Sequence, residues 1–152
     1  MSASETCGFT FRICEKHHMA YIRYEGGVTV DEILKCIKIE YNITELNRMN
    51  KRLIDFRDAK VIYDKENNSI RKESARIRDE LNTLQDDGFI EAILIDTPDE
   101  TAFFFLYAHA SHRIKKDANC FSTLKGALKY LDVEMSDDEQ KTITDNMIRI
   151  EC

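Results

Sequence analysis

The sequence predicts an α/β protein: a single mixed sheet of about five strands, in the order ββαβαβαβα, covered by amphipathic helices and followed by an added C-terminal helix. Three observations carry that prediction. Short runs of alternating or continuous apolar character are interleaved with longer runs of helical period. Helix-start signals stand at the junctions, at Thr29-Val30-Asp31-Glu32, Thr97-Pro98-Asp99-Glu100 and Ser136-Asp137-Asp138-Glu139. Phe89 to Ile95 is almost wholly apolar, as a central strand buried on both faces requires.

The elements follow in chain order. Phe9, Phe11 and Ile13 alternate with Thr10 and Arg12, and Met19 to Tyr24 is rich in β-formers, so the two segments read as a hairpin across Glu15-Lys16-His17-His18. Gly26-Gly27 is expected to end its second strand. Thr29 then opens a helix whose buried face carries Val30, Ile33, Leu34, Ile37 and Tyr41, running to about Leu46. Arg52 to Phe56, continuing into Arg57-Asp58, is a third strand, and Val61, Ile62 and Tyr63 fall in a loop. A long helix is expected from about Asn67 to Gln85, with Ile70, Ile77, Leu81 and Leu84 inward. After the strand at Phe89, a very apolar helix spans about Asp99 to Arg113. Cys120-Phe121 suggests a short edge strand, and Leu124, Ala127, Leu128 and Leu131 line a further helix.

Composition narrows the function. A chain of 152 residues fits one domain, with its core at about 9–131 and a helical extension at about 136–150. The formal net charge of −6 disfavours nucleic acid and anionic membrane surfaces, which need a basic footprint. The longest apolar run, Ala102 to Ala108, is far short of a membrane span. No signal-peptide pattern is visible at Met1 to Cys7, and the five scattered cysteines suit reduced thiols; the expectation is a soluble, cytoplasmic protein.

Leu53-Ile54-Asp55-Phe56-Arg57-Asp58-Ala59, Ile93-Leu94-Ile95-Asp96 and Phe121 to Leu131 occur in an order and spacing that resemble the STAS (sulfate transporter and anti-sigma-factor antagonist) fold, in particular its SpoIIAA-like, STAS/SEC14-type branch. The resemblance covers about 9–131. It implies a module that docks on a protein partner. Some members are switched by phosphorylation of a serine after the third strand, at the start of the following helix. The stretch matched to that position here, Asp55 to Lys60, has no serine or threonine, so the resemblance implies that the usual switch is missing; Ser69 lies further on.

The candidate side chains are few. A helix with one buried stripe cannot hide all of Phe103-Phe104-Phe105-Leu106-Tyr107. Some of these, such as Phe104 and Tyr107, must meet another helix, a partner chain or an apolar ligand. His109 and His112 share a face of the same helix, as a ligand-facing pair, a pH-sensitive contact, half a metal site, or cations favoured by the helix C-terminus. Arg57, between Asp55 and Asp58 near a strand end, can bind an anion or form a local salt bridge. Cys14 and His17 have a metal-like spacing but no second ligand pair to complete a zinc site. No phosphate loop or nucleophile elbow is present. The expectation is therefore a non-catalytic interaction or regulatory module, without cofactor or metal, that binds a protein partner or a second copy of itself. The alternative is a small carrier or sensor of an apolar, lipid-like molecule.

Overall fold

The structure, a computed structural model, describes residues 8–62, 69–81, 88–97, 104 and 117–151. Strands β1 (Gly8–Cys14) and β2 (Met19–Thr29) form the expected antiparallel hairpin, with Thr10 opposite Arg23 and Cys14 opposite Met19. A single 3-10 turn at Glu15–His17 joins them, and His18 closes it in the left-handed region at φ 52°. Helix α1 (Val30–Glu40) follows β2 directly. Thr29 Oγ1 accepts the Glu32 backbone N–H, so the start read from the sequence is the real one.

This helix stops short of Leu46. The Asn42 side chain donates to the Lys38 carbonyl and the Asn47 side chain to that of Tyr41, satisfying terminal acceptors outside the helix. A four-residue α2 (Thr44–Asn47) leads into β3 (Lys51–Ile62), parallel to β2. Among the described residues, helix α3 spans Ser69–Leu81. Strand β4 (Ile90–Leu94) pairs parallel with β3, and β5 (Ala118–Phe121) parallel with β4. Helix α4 (Leu124–Tyr130) is capped by Thr123, and α5 (Asp137–Lys141) by Ser136 in a complete capping box with Glu139. With a last strand β6 (Ile148–Glu151), the described residues form one six-stranded sheet, ordered β5-β4-β3-β2-β1-β6.

Two core clusters lie on its faces. Phe9, Ile22, Tyr24, Ile54, Phe56 and Ile93 pack on one side with α1 and Ile77 of α3. Met19, Tyr21, Leu53 and Leu94 pack on the other with Leu128 of α4, Val133 and Ile143.

Three sequence expectations change. Gly26-Gly27 does not end β2: β3 carries one extra residue between Asp55 and Asp58, opposite Arg23 and Glu25, and beyond this register shift β2 stays paired through Gly26, at φ 74°, to Thr29. Val61 and Ile62 are strand rather than loop, opposite Val28 and Thr29, with Val61 buried. The stretch 55–60 therefore lies inside β3.

Finally, the C-terminal helix lasts five residues instead of reaching about 150. Thr142 Oγ1 bonds back to the Asp138 and Glu139 carbonyls, and Asn146 turns the chain at φ 57°. Ile148-Arg149-Ile150-Glu151 then alternates as β6 (Ile148–Glu151), antiparallel to β1. Gly8 permits this close approach, since a Cβ there would run into the Ile150 carbonyl. The expected helix at Asp99 to Arg113 lies outside the described residues except for Phe104.

Candidate functional site

The parallel strands carry ionic groups at both ends. At the carboxyl end, Asp55 stands opposite Leu94, the last residue of β4, so β3 beyond it overruns its neighbour. Strand alternation puts Asp55 and Arg57 on the same face as Leu53 and Tyr21. Tyr21 Oη donates to Asp55 Oδ2 at 2.6 Å. The Arg57 backbone N–H and Nε both donate to Oδ1 at 3.0 Å, and Nη2 donates to Oδ2 at 2.8 Å. The fork is bidentate and the carboxylate is buried, while the Arg57 side chain is 36% exposed.

Burial pushes the Asp55 carboxyl up, but the hydrogen bonds from Arg57 and Tyr21 outweigh it and hold the group below its usual range. The same contact raises Arg57, and burial together with the Asp55 bond raises Tyr21. Asp55 is thus locked as an anion and is poorly suited to proton transfer. Beside the cluster, where β3 carries its extra residue, Arg23 pairs with Asp58 at 2.5 Å and Glu25 at 3.0 Å. Arg23, Glu25, Arg57 and Asp58 are thus paired yet partly exposed charges at this end of the sheet.

At the opposite end, Arg52 and Glu40 are both 1% exposed. Arg52 Nη1 reaches Glu40 Oε2 at 3.5 Å, Nη2 donates to Asn47 Oδ1 at 2.9 Å, and Tyr24 Oη donates to Glu40 Oε1 at 2.6 Å. The guanidinium lies 4.0 Å from the Phe89 ring centroid and 5.2 Å from that of Tyr41. Its Nε has no acceptor among the described residues. This network ties the end of α1, α2 and the start of β3 together. Sequence reasoning missed it, although a signal was present: Glu40 sits three residues after Ile37 on the buried stripe of α1.

Of the candidates read from the sequence, Arg57 forms the local salt bridge with Asp55 described above. Phe104 is 3% exposed, with its ring 4.5 Å from that of Phe56. It belongs to the core and offers no surface for docking. It also lines a cavity of about 20 Å³ with Tyr24, Ile33, Ile77 and Glu91. Phe103, Tyr107, His109 and His112 lie outside the described residues. His17 does not meet Cys14 in a ligand set; its Nε2 contacts Glu139 Oε2 at 2.8 Å, with Lys16 Nζ 3.3 Å from Oε1. Among the described residues, no three His, Cys, Asp or Glu side chains gather as metal ligands, and no helix is long and apolar enough to cross a membrane.

No family model matches the chain, and no curated protein does. A solved structure of the anti-sigma factor antagonist SpoIIAA in its unphosphorylated form is similar to it, covering 82% of this chain and 97% of that one at 12% identity, with a TM-score of 0.41.

Proposed function

We propose that this chain is a non-catalytic interaction or regulatory module of STAS-like fold that docks a protein partner at the carboxyl end of its parallel strands, around Arg57. One observation carries the reading: Arg57 is anchored on a buried carboxylate yet one-third exposed. A guanidinium held in place by a bidentate bond loses little freedom on docking, and its free edge suits a carboxylate or carbonyl of a partner. The surrounding Arg23, Glu25 and Asp58 give that surface both signs of charge, which favours selective encounter over tight burial.

Tyr107, His109 and His112 belong to the same reading as further contact candidates. The alternative, an apolar carrier, would place its ligand beneath Phe104. The cavity there has room for about one water, so a lipid would have to displace core side chains.

Native mass spectrometry of the gently purified full chain tests both readings. A protein adduct carried by the wild type and lost in Arg57→Gln, with the circular dichroism spectrum unchanged, supports docking at Arg57. Equal retention by the two proteins refutes that surface. A reproducible adduct of lipid mass, with no protein adduct, would favour the carrier.

A further inference from the structure

A second surface lies at the other end of the sheet from Arg57. Lys51 Nζ, at the start of β3, donates to the Asp132 carbonyl at 3.2 Å and marks the amino end of the parallel strands. There α4 and the chain that follows it enclose a cleft of about 480 Å³, within the size range of binding pockets. Its floor is apolar: Leu128 and Val133 are buried, and Met135 is half-buried. Its rim is charged, and the charges are sorted by side. α4 contributes Lys125 and Lys129, and the chain running into the first turn of α5 contributes Asp132, Glu134 and Asp137. All five are exposed, and among the described residues none of their side chains makes an ion pair or a hydrogen bond. No lysine–carboxylate pair closes the cleft.

The neighbouring cleft differs. It measures about 410 Å³ and shares Met135, but its charges are already spent: Lys16 and His17 pair with Glu139, and Arg12 donates to the Thr142 carbonyl. The walls of the first cleft are fixed before anything binds. The Val133 N–H donates to the Leu128 carbonyl at 2.9 Å, Gln140 Nε2 donates to the Met135 carbonyl at 3.0 Å, and Ser136 caps α5.

We propose that this cleft receives an amphipathic helix of a partner protein, whose apolar stripe is bordered by acids on one flank and by bases on the other. The acidic flank meets Lys125 and Lys129, the basic flank meets Asp132, Glu134 and Asp137, and the stripe covers the apolar floor. The arrangement of the charges in rows decides the occupant. Lys125 and Lys129 are four residues apart on one helix, about 6 Å along its axis. A small zwitterion has one charge of each sign and satisfies one member of each row, whereas a helix repeats its flanking charges every turn and satisfies both rows. A second copy of this cleft is excluded by shape, because two concave surfaces leave each floor uncovered.

Amide chemical shifts of the isotope-labelled full chain, titrated with a synthetic helix, test this. The peptide has about 15 residues, long enough to hold helical structure in water, with a leucine stripe, glutamate on one flank and arginine on the other. The expected result is saturable shifts concentrated at Leu128, Val133 and Met135, with a Kd of about 1 mM or below. A peptide with glutamine on both flanks binds about fivefold more weakly, and so does the charged peptide with the double variant Lys125→Gln, Lys129→Gln. That variant changes only exposed side chains, and an unaltered spectrum away from the cleft shows that it is folded. Arg57→Gln leaves this binding unchanged, which separates the outcome here from the outcome at Arg57. Shifts that never saturate or spread over the whole surface overturn the proposal. Equal binding of the neutral peptide, or of the small zwitterion aminocaproate, does so as well, as does indifference to the double lysine variant.

Discussion

Glu40→Gln isolates the closed network beneath α1. The substitution keeps the side chain's size and leaves an oxygen for the Tyr24 hydroxyl, but it removes the charge opposite Arg52. In the wild type that guanidinium is 1% exposed, with one ionic partner at 3.5 Å, an amide oxygen at 2.9 Å and two aromatic faces. Breaking a buried pair by removing one partner costs about 3–5 kcal/mol, because the remaining charge stays desolvated. The aromatic contacts persist, which places the expected loss near the lower end, at about 3 kcal/mol. For a chain of this length that corresponds to a fall in Tm of about 6–12 °C. Urea denaturation followed by circular dichroism measures it directly. The cycle is completed by Arg52→Met and by the double variant, which should be more stable than the sum of the single losses implies, because no buried charge is stranded. A cost below about 1 kcal/mol for Glu40→Gln, with additive behaviour in the double variant, would refute the desolvated pair.

Phe104→Ala should destabilise the fold by about 3–5 kcal/mol in the same denaturation assay; a value within about 0.5 kcal/mol of wild type would mean that the ring does not fill the core. Asp55→Asn should cost about 1–3 kcal/mol, since it weakens hydrogen bonds from Arg57 and Tyr21 to a charged acceptor, with Arg57's exposure limiting the loss. Glu139 should contribute to acid sensitivity: its bond to His17, helped by Lys16 and the Ser136 backbone, lowers the carboxyl to about 2. Between that value and the usual carboxylate range the folded state binds fewer protons than the unfolded one, so stability falls as pH falls; Glu139→Gln should flatten that part of a pH-dependent melting series.

Much of this fold could be read from the chain because its signals are local. The hairpin, the Thr29 and Ser136 caps and the apolar strand at Phe89 to Ile95 each rest on neighbouring residues. The misjudged parts depend on distant partners. Gly26-Gly27 reads as a break until Ala59 and Lys60 supply a ladder for it. Ile148 to Glu151 is too short to outweigh a strong helix start, and becomes a strand because β1 offers a free edge beside Gly8. The charged clusters follow the same logic. Arg57 could be suspected from Asp55 two residues away, whereas Arg52 finds Glu40 only once α1 has folded back over the sheet.

The two clusters use the same chemistry, a guanidinium on a carboxylate, and differ in access to water. Around Arg52 both charges are buried, so the pair has nothing further to offer a partner, and its consequence is mutual placement of α1, α2 and β3. Around Asp55 only the carboxylate is buried; the guanidinium reaches solvent with part of its donor set unspent. Burying the acceptor fixes the geometry, and leaving the donor exposed preserves its ability to bind. A cluster meant for catalysis would be expected to keep a proton within easy exchange near neutral pH, but here the carboxyl is driven down and the Tyr21 hydroxyl up, both away from that range. That polarisation favours recognition over proton transfer, and makes Arg57 the group on which the docking proposal rests.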